Sequence, residues 1–361
     1  ATIITIIMGL ASSGNWVMRT QLFAYPLFAL CLYSLFAWQK GNNRYLWILP
    51  VSMVLWANLH GSFILGLVLA GTAFVFGTGN RKPILIALIL MLAGTLVTPH
   101  GLNAWRQVIF MLNNPSDQLF STEWFPPKNE GWQANIFFAW ILALPPLAAF
   151  STRKLSALEW VLFLGFGWLA FSGVRYMIWF SFIVAILSSK LLAGIPNYKL
   201  DATAKVSSPV FNIVLASLFM LLPLFSLPGI RETWWATAPQ VYDKSTPFKA
   251  VEWLKAHPET PGPLWNDYAF GSYLIYALPS RLPWLDTRFF VYPPEQMKAY
   301  QKISVTGQEW EPLFQHDGIN LLLLSVAEQP RLIEAVEKSD QWCEQYRDKT
   351  AVIFSRCTPI Q

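Results

Sequence analysis

The sequence has little charge. Only 13% of its 361 residues are Asp, Glu, Lys or Arg, against roughly 25% in a typical soluble domain. The deficit lies in residues 1–227, which hold 13 basic and 5 acidic residues, whereas residues 228–361 hold 13 and 16. Because no basic stripe lies in the charge-rich part, we expect no nucleic-acid partner.

Motifs of known chemistry are also absent from the sequence. There is no glycine-rich phosphate loop, no Cys/His spacing typical of a metal site and no G-x-S-x-G nucleophile elbow. The cofactor is therefore unknown: no metal-ligand motif is seen, and the involvement of a divalent metal is left open.

Cysteine is scarce as well. Cys31 lies in an apolar segment, while Cys343 and Cys357 lie near the C-terminal end. A hairpin turning at residues 347–349 would place Cys343 opposite Ile353. That register argues against a Cys343–Cys357 disulfide, although an oxidising compartment would permit one.

Apolar and aromatic residues are abundant instead. Hydrophobic residues make up 54% of the chain, with 18 Trp and 26 Phe. Nine apolar segments lie at about 2–12, 21–38, 46–58, 62–77, 84–98, 132–150, 156–173, 177–193 and 209–227. Since a bilayer admits only segments that satisfy their own backbone hydrogen bonds, these segments predict a mainly α membrane bundle of about nine membrane segments.

The basic residues of the loops predict the orientation of this bundle. If the segments alternate, one side receives nine basic residues: Lys40, Arg44, Arg81, Lys82, Arg153, Lys154, Lys190, Lys199 and Lys205. The other side receives four: Arg19, Arg106, Lys128 and Arg175. The positive-inside rule places the larger set in the cytoplasm. We therefore expect a multi-pass protein of the inner or plasma membrane whose C-terminal part is extracytoplasmic.

The sequence as a whole predicts three regions. Residues 1–227 form the transmembrane domain, 228–246 a linker, and 247–361 a small extracytoplasmic α/β domain, because strand-like and helix-like runs alternate there. Residues 282–286 are one of the predicted strands of this domain. Within the membrane part, apolar residues recur at helical spacing over 102–112, which predicts a helix lying in the interface. The chain opens on Ala1 inside an apolar segment, which indicates that further sequence precedes it.

Unusual polar residues converge on the predicted outer face. Arginine binds phosphate oxygens through bidentate, charge-assisted contacts, and histidine can donate or relay a proton near neutral pH. The catalytic candidates are Glu123, His60 and His100. The substrate-binding candidates are Arg19, Asn58, Asn103, Arg106, Arg175 and Tyr176. We expect no metal ligand among them, and we interpret Asp117 and Glu130 as solvated loop charges.

Simpler roles exist for these residues. An arginine at a helix end commonly extends to the lipid headgroups, and residues 58–61 could only cap a tight hairpin. His100 follows a proline and precedes a glycine, which is typical of a turn. Glu123 could only pair with an arginine across its loop.

Three phrases carry a family resemblance: RTQLFAY at 19–25, LWANLHGSF at 55–63 and TPHGLNAW at 98–105. Glu123-Trp124 with Pro126-Pro127 adds to it, as do residues 266–268, 271–274 and 286–288 of the C-terminal part. The chain resembles a bacterial family of multi-spanning membrane proteins placed near the GT-C superfamily of polyprenyl-phosphate-sugar-dependent glycosyltransferases. The sequence departs from the family pattern at Thr287, where the resemblance leads us to expect glycine.

The resemblance implies transfer of a sugar from a polyprenyl-phosphate donor at the extracytoplasmic face, with basic residues holding the lipid phosphate. The acidic residue that this superfamily carries on its first external loop has no match here, and its expected place is upstream of Ala1. Two alternatives stay open: a ligase or polymerase of surface polysaccharide, and a non-catalytic membrane scaffold subunit. A membrane lipid and the lipid-linked sugar are the expected partners, and protein partners are unknown.

Overall fold

The computed structural model describes residues 2–16, 19–196 and 245–358, together with the isolated positions 210, 214 and 217. The chain divides into two compact units, residues 1–202 and 203–361. The ninth apolar segment, 209–227, and nearly all of the predicted linker, 228–246, fall outside the described residues. The predicted domain boundaries therefore stay a prediction.

The described part of the first unit is helical. Its helices are α1 (Thr2–Ala11), α2 (Ala24–Gln39), α3 (Ile48–Leu59), α4 (Phe63–Phe76), α5 (Arg81–Gly94), α6 (Leu102–Leu112), α7 (Pro115–Phe120), α8 (Gly131–Phe150), α9 (Ala157–Ser172) and α10 (Met177–Leu192). Short 3-10 helices join several of them, at Ser13–Asn15, Thr20–Phe23, Asn43–Trp47, Thr122–Trp124 and Val174–Tyr176.

Three helical stretches of the described part are long and apolar enough to cross a membrane: Thr20–Gln39, Gly131–Phe150 and Val174–Leu192. Shorter apolar helices lie at Ile3–Asn15, Phe63–Phe76 and Ala157–Ser172. The expected count of about nine spans is therefore not reached in these residues. The reason is length: α3, α4 and α5 have 12 to 14 residues, or roughly 20 Å at 1.5 Å per residue, against a hydrocarbon core of about 30 Å.

Aromatic rings fill the centre of the helical unit. The ring of Phe28 lies 5.0 Å from that of Trp179 and 6.3 Å from that of Trp56. Glycine permits this density at position 66, where an added Cβ would lie 2.7 Å from the Met53 side chain and 3.0 Å from Trp56. These contacts fix α2, α3, α4 and α10 against one another.

The predicted helix over 102–112 is confirmed as α6, and its position in the membrane interface stays a prediction. Trp105 anchors it, because its ring lies 5.3 Å from that of Phe63 and its indole N–H donates to Thr95 Oγ1 at 2.9 Å. Other apolar side chains of α6, including Leu102 and Ile109, are exposed, as expected for a helix that meets lipid.

The second unit holds a small mixed sheet. Its strands are β1 (Leu264–Asn266), β2 (Leu321–Ser325), β3 (Trp342–Arg347) and β4 (Ala351–Arg356), in the order β1-β2-β4-β3. Strand β1 pairs with β2 in parallel, and β4 is antiparallel to both β2 and β3. The helices are α11 (Phe248–Ala256), α12 (Tyr268–Ala277), α13 (Pro294–Thr306), α14 (Trp310–His316) and α15 (Pro330–Glu337).

One predicted strand of this unit is wrong. Residues 282–286 are irregular because a buried side chain takes the backbone groups that a strand would pair. The Asn266 side chain accepts from the Trp284 backbone N–H at 2.8 Å and donates to the Leu285 carbonyl at 2.8 Å. This long-range asparagine contact is invisible to local periodicity.

The expectation against a disulfide is also wrong, because Cys343 and Cys357 are bonded. The predicted turn at residues 347–349 lies too early in the chain, because Arg347 still pairs with Val352 and the hairpin turns between these two residues. A bulge between Glu344 and Tyr346 then shifts the pairing back by one residue. Cys343 therefore lies opposite Ser355 and not Ile353, and its sulfur reaches Cys357 two residues further along.

Candidate functional site

Two 3-10 turns form the base of the candidate site in the helical unit. The turn Thr122–Trp124 packs against the turn Val174–Tyr176, and the Val174 backbone N–H donates to the Phe125 carbonyl at 3.0 Å. Gly173 permits this approach, because an added Cβ would lie 3.3 Å from the Trp124 carbonyl oxygen and 3.4 Å from that of Glu123. The two loops therefore act as one platform.

Arg175 is held on this platform by aromatic rings. Its guanidinium carbon lies 4.4 Å from the centre of the Trp124 ring and 5.7 Å from that of Tyr176, and these two rings pack edge to face at 6.2 Å. The side chain is half-buried. Among the residues that the structure describes, no acceptor receives a hydrogen bond from its guanidinium. A stacked guanidinium without an acceptor is suited to binding an oxyanion.

Arg19 and Glu123 pair with each other. The Arg19 guanidinium donates to a carboxylate oxygen of Glu123, and both side chains are exposed. An exposed pair of this kind contributes roughly 0–1 kcal/mol, so its main effect here is to neutralise Arg19. The simpler reading of Glu123, a partner for an arginine across the loop, is the arrangement found.

The structure corrects the interpretation of Asp117 as a solvated loop charge. Its side chain is buried, with 6% of its surface exposed, and its Oδ2 atom lacks a hydrogen-bond partner in the described part of the chain. Burial raises the pKa of this carboxyl above its usual range; the positive charge of Arg175 opposes the shift and the negative charge of Glu123 adds to it. Asp117 therefore lies within electrostatic reach of both loops of the platform.

The sequence does signal a helix start just before Asp117, although it does not signal burial of the side chain. Asn114 is followed by a proline at the first helical position and by an acid in the first turn, which is the pattern of a helix start. The structure has this helix as α7, and the Asn114 side chain accepts from the Asp117 backbone N–H at 3.1 Å. A residue in the first turn of a packed helix is a poor candidate for a free loop charge.

His60 is fixed in one tautomer. Its Nδ1 atom accepts from the Ser62 backbone N–H at 3.1 Å and contacts Ser62 Oγ at 2.8 Å. Ser62 Oγ accepts in turn from the Trp56 indole N–H at 3.0 Å. Because Nδ1 is an acceptor, the ring proton lies on Nε2.

The charge state of His60 is also set by its surroundings. Burial lowers the pKa of His60 to about 4, and the charge of Arg175 acts in the same direction. The imidazole is therefore neutral near pH 7 and offers an Nε2–H as a hydrogen-bond donor.

The remaining predicted residues make contacts elsewhere. The Asn58 amide donates to the carbonyls of Val54 and Val97 at 2.8 Å each, which ties α3 to the end of α5. Asn103 Oδ1 accepts from Arg106 at 3.2 Å within α6. The backbone of His100 bonds to Thr98 in a turn, and its side chain is exposed.

The structure thus brings together Arg19, Glu123, Arg175 and Tyr176. His60 lies within electrostatic reach of Arg175. In the part of the chain that the structure describes, no hydrogen bond, ion pair or ring contact joins Asn58, His100, Asn103 or Arg106 to this platform. Among the described residues, no group of three or more His, Cys, Asp or Glu side chains could hold a metal ion.

The chemistry available at the platform is that of two unsatisfied, opposite charges. Within the described part of the chain, Arg175 has donors without acceptors and Asp117 Oδ2 is an acceptor without a donor, yet the two residues form no ion pair with each other. A ligand that carries both an oxyanion and a hydroxyl group would satisfy both residues.

The apolar helices and the fold define a helical membrane protein with an added α/β unit. In single-particle cryo-EM, arabinofuranosyltransferase AftD from mycobacteria has a similar fold, with a TM-score of 0.51 and 15% sequence identity. The similarity covers 97% of this chain and 31% of that one, so the chain spans about a third of AftD. No protein-family model matches the chain, and no curated protein matches it in sequence.

Proposed function

We propose that this protein is a membrane glycosyltransferase of the GT-C type that takes its sugar from a polyprenyl-phosphate donor. The observation that carries the proposal is Arg175, a half-buried guanidinium stacked on Trp124 without an acceptor in the described residues. A half-buried cation without a counterion is costly unless a ligand supplies the anion. The lipid phosphate supplies one at the membrane face.

In this proposal Arg175 binds the phosphate that leaves with the lipid. Negative charge grows on the phosphate as the glycosidic C–O bond to it breaks, so a fixed cation stabilises the transition state more than the ground state. His60 presents a neutral Nε2–H in reach of the same charge. It can donate to a phosphate oxygen without adding a second positive charge.

Asp117 is the general base in this proposal. Its unpartnered Oδ2 accepts the proton of the acceptor hydroxyl as that oxygen attacks the anomeric carbon, and inversion follows from attack opposite the phosphate. The raised pKa of Asp117 makes it a stronger base than a solvated carboxylate. Glu123 then positions Arg19 and the loop. His100 stays a predicted catalytic residue, and Asn58, Asn103 and Arg106 stay predicted substrate-binding residues.

The topology belongs to the same proposal. The chain crosses the inner or plasma membrane several times, and the α/β unit lies on the extracytoplasmic side. The Cys343–Cys357 disulfide supports this placement, because disulfides persist in oxidising compartments. The similarity to a mycobacterial arabinofuranosyltransferase supports the transferase class.

Binding of undecaprenyl phosphate to the full chain in nanodiscs tests the proposal without knowledge of the sugar. Arg175→Ala should weaken binding at least tenfold, because it removes the cation that stacks on Trp124. Arg44→Ala is a matched control: Arg44 also stacks on an aromatic ring, 4.9 Å from Tyr45, but it lies in the loop before α3.

Two results would contradict the proposal. If Arg175→Ala binds as tightly as the parent, Arg175 is not a phosphate ligand. If undecaprenyl phosphate binds but sugar transfer survives in both Asp117→Asn and Glu123→Ala, a ligase or polymerase that needs no carboxylate replaces the transferase. Binding without any transfer would favour the scaffold.

A further inference from the structure

The α/β unit contains a cavity that the membrane site does not explain. It has a volume of about 390 Å³ and lies between α13 and α14, lined by Trp284, Glu295, Gln296, Ala299, Leu313 and Asp317. The size suits one or two sugar rings, and the lining mixes one large aromatic ring with a few polar groups and two apolar walls. Such a mixture is typical of a small-ligand site.

Trp284 is held rigidly in this cavity. Its backbone N–H donates to Asn266 Oδ1 at 2.8 Å, its carbonyl accepts from the Gln296 amide at 3.2 Å, and its indole N–H donates to Asp317 Oδ2 at 3.1 Å. Its ring is tilted against that of Trp265, with centres 6.1 Å apart. A ring fixed at every polar atom and half-exposed is a preorganised contact surface.

The polar groups of the cavity are mainly acceptors. Asp317 already receives the Trp284 indole N–H on Oδ2 and contacts His316 Nδ1 through Oδ1 at 2.8 Å. The exposed Glu295 carboxylate has no partner among the described residues. Because Gln296 uses its amide nitrogen on Trp284, its Oε1 is the atom left to face a ligand. A ligand must therefore bring donors and an apolar face.

We infer that this cavity binds a saccharide, with a sugar ring packed on the Trp284 face and its hydroxyl groups donating to Glu295 and Gln296. The two carboxylates of the lining disfavour an anionic ligand, and residues 228–361 as a whole carry 16 acidic against 13 basic residues. A neutral sugar supplies both the hydroxyl donors that the acceptors of the cavity need and an apolar ring face that packs on Trp284. Such binding does not require the transferase reaction, so either can fail without the other.

The test is saturation-transfer NMR on the full chain in nanodiscs, since maltoside detergents would themselves compete. The probes are neutral di- and trisaccharides of glucose, galactose, mannose and arabinose, with tetramethylammonium as the cationic alternative. At least one saccharide should bind, and both Trp284→Ala and Glu295→Gln should weaken it at least tenfold. Tyr276→Ala, which removes a ring with 74% of its surface exposed elsewhere in the unit, should leave binding unchanged.

Glu295→Gln keeps the test valid if Trp284→Ala misfolds, because Glu295 is an exposed side chain whose loss disturbs no described contact. If no saccharide binds, or if binding survives in Glu295→Gln and Trp284→Ala alike, the inference is overturned. Binding of tetramethylammonium in place of the sugars would overturn it in favour of a cation site.

Discussion

Glu159 and Asp117 are both buried carboxylates of the helical unit, with 4% and 6% of their surfaces exposed. Glu159 lies in the first turn of α9, and α9 runs from there to the turn that carries Arg175. Both Glu159 oxygens accept from Lys190 Nζ, at 2.8 and 2.6 Å, and Oε2 also accepts from the Ser156 backbone N–H. Asp117, near the Arg175 end, has an oxygen, Oδ2, that finds no hydrogen-bond partner among the residues the structure describes.

The difference separates a structural acid from a functional one. Glu159 belongs to a closed set, a capping box with Ser156 and an ion pair with Lys190, in which every oxygen has a donor. Asp117 and Arg175 have opposite charges and unsatisfied atoms, and they stay unpaired with each other. Unsatisfied buried groups cost stability, and in a folded protein they mark places where a ligand completes the network.

The largest expected effect comes from breaking the ion pair between Glu159 and Lys190. Lys190→Ala leaves the Glu159 charge buried with only a backbone donor, which should destabilise the folded protein by about 3 kcal/mol. Thermal unfolding in nanodiscs measures this loss. The double variant Lys190→Met with Glu159→Gln should recover most of the stability, because no charge then stays buried. A single variant as stable as the parent would show that the pair contributes nothing.

The next effect sharpens the comparison, because replacing the acid by its amide should lower activity at Asp117 and stability at Glu159. Asp117→Asn should lower sugar transfer about 100-fold, equivalent to about 2.7 kcal/mol of activation free energy, without lowering the unfolding temperature. Glu159→Gln should lower the unfolding temperature without lowering transfer per folded molecule. The comparison fails if both variants lose stability and activity together.

The smallest effect concerns pH and His60. Its folded-state pKa of about 4 lies below the ordinary value of 6.5, so neutral His60 contributes stability above pH 6.5. That contribution is lost as the pH falls toward 4, and about 2 kcal/mol of it should be gone by pH 5. Asp117 acts with the opposite sign, since its raised pKa favours folding at low pH.

His60→Gln isolates the histidine contribution. Its unfolding free energy should fall less than that of the parent between pH 7.5 and 5, while Asp117 titrates equally in both proteins. Equal pH dependence in the two proteins would show that His60 is solvated and protonates freely. Chemical unfolding at the two pH values is the measurement.

Local patterns predicted the helices well and the long-range contacts poorly. The apolar runs gave α8 and α10 to within a residue, because each run satisfies its own backbone hydrogen bonds, and the helical spacing of apolar residues gave α6. The irregular course of residues 282–286 depends on Asn266, and the register that brings the two cysteines together depends on the hairpin turn between Arg347 and Val352. Neither cause lies in the local periodicity of the segment that it changes.

For the candidate site too, local patterns predicted some residues, and long-range contacts decided the others. Arg19, Glu123, Arg175 and Tyr176 were predicted together because loop alternation brings them to one face. Asp117 was missed because burial by neighbouring loops cannot be read from residues 115–120 alone. The pairing of Arg19 with Glu123, which leaves Arg175 as the unpaired cation, also required the folded arrangement.

The order of the strands has a consequence for biosynthesis. Strand β4 lies between β2 and β3, although it is the last of the four along the chain. The ribosome must therefore deliver residue 356 before the sheet can close, and until then β2 exposes a free edge of four leucines followed by a serine. An open apolar edge invites pairing with other chains, so a nascent chain stalled before β4 should be a preferred substrate for chaperones and proteases.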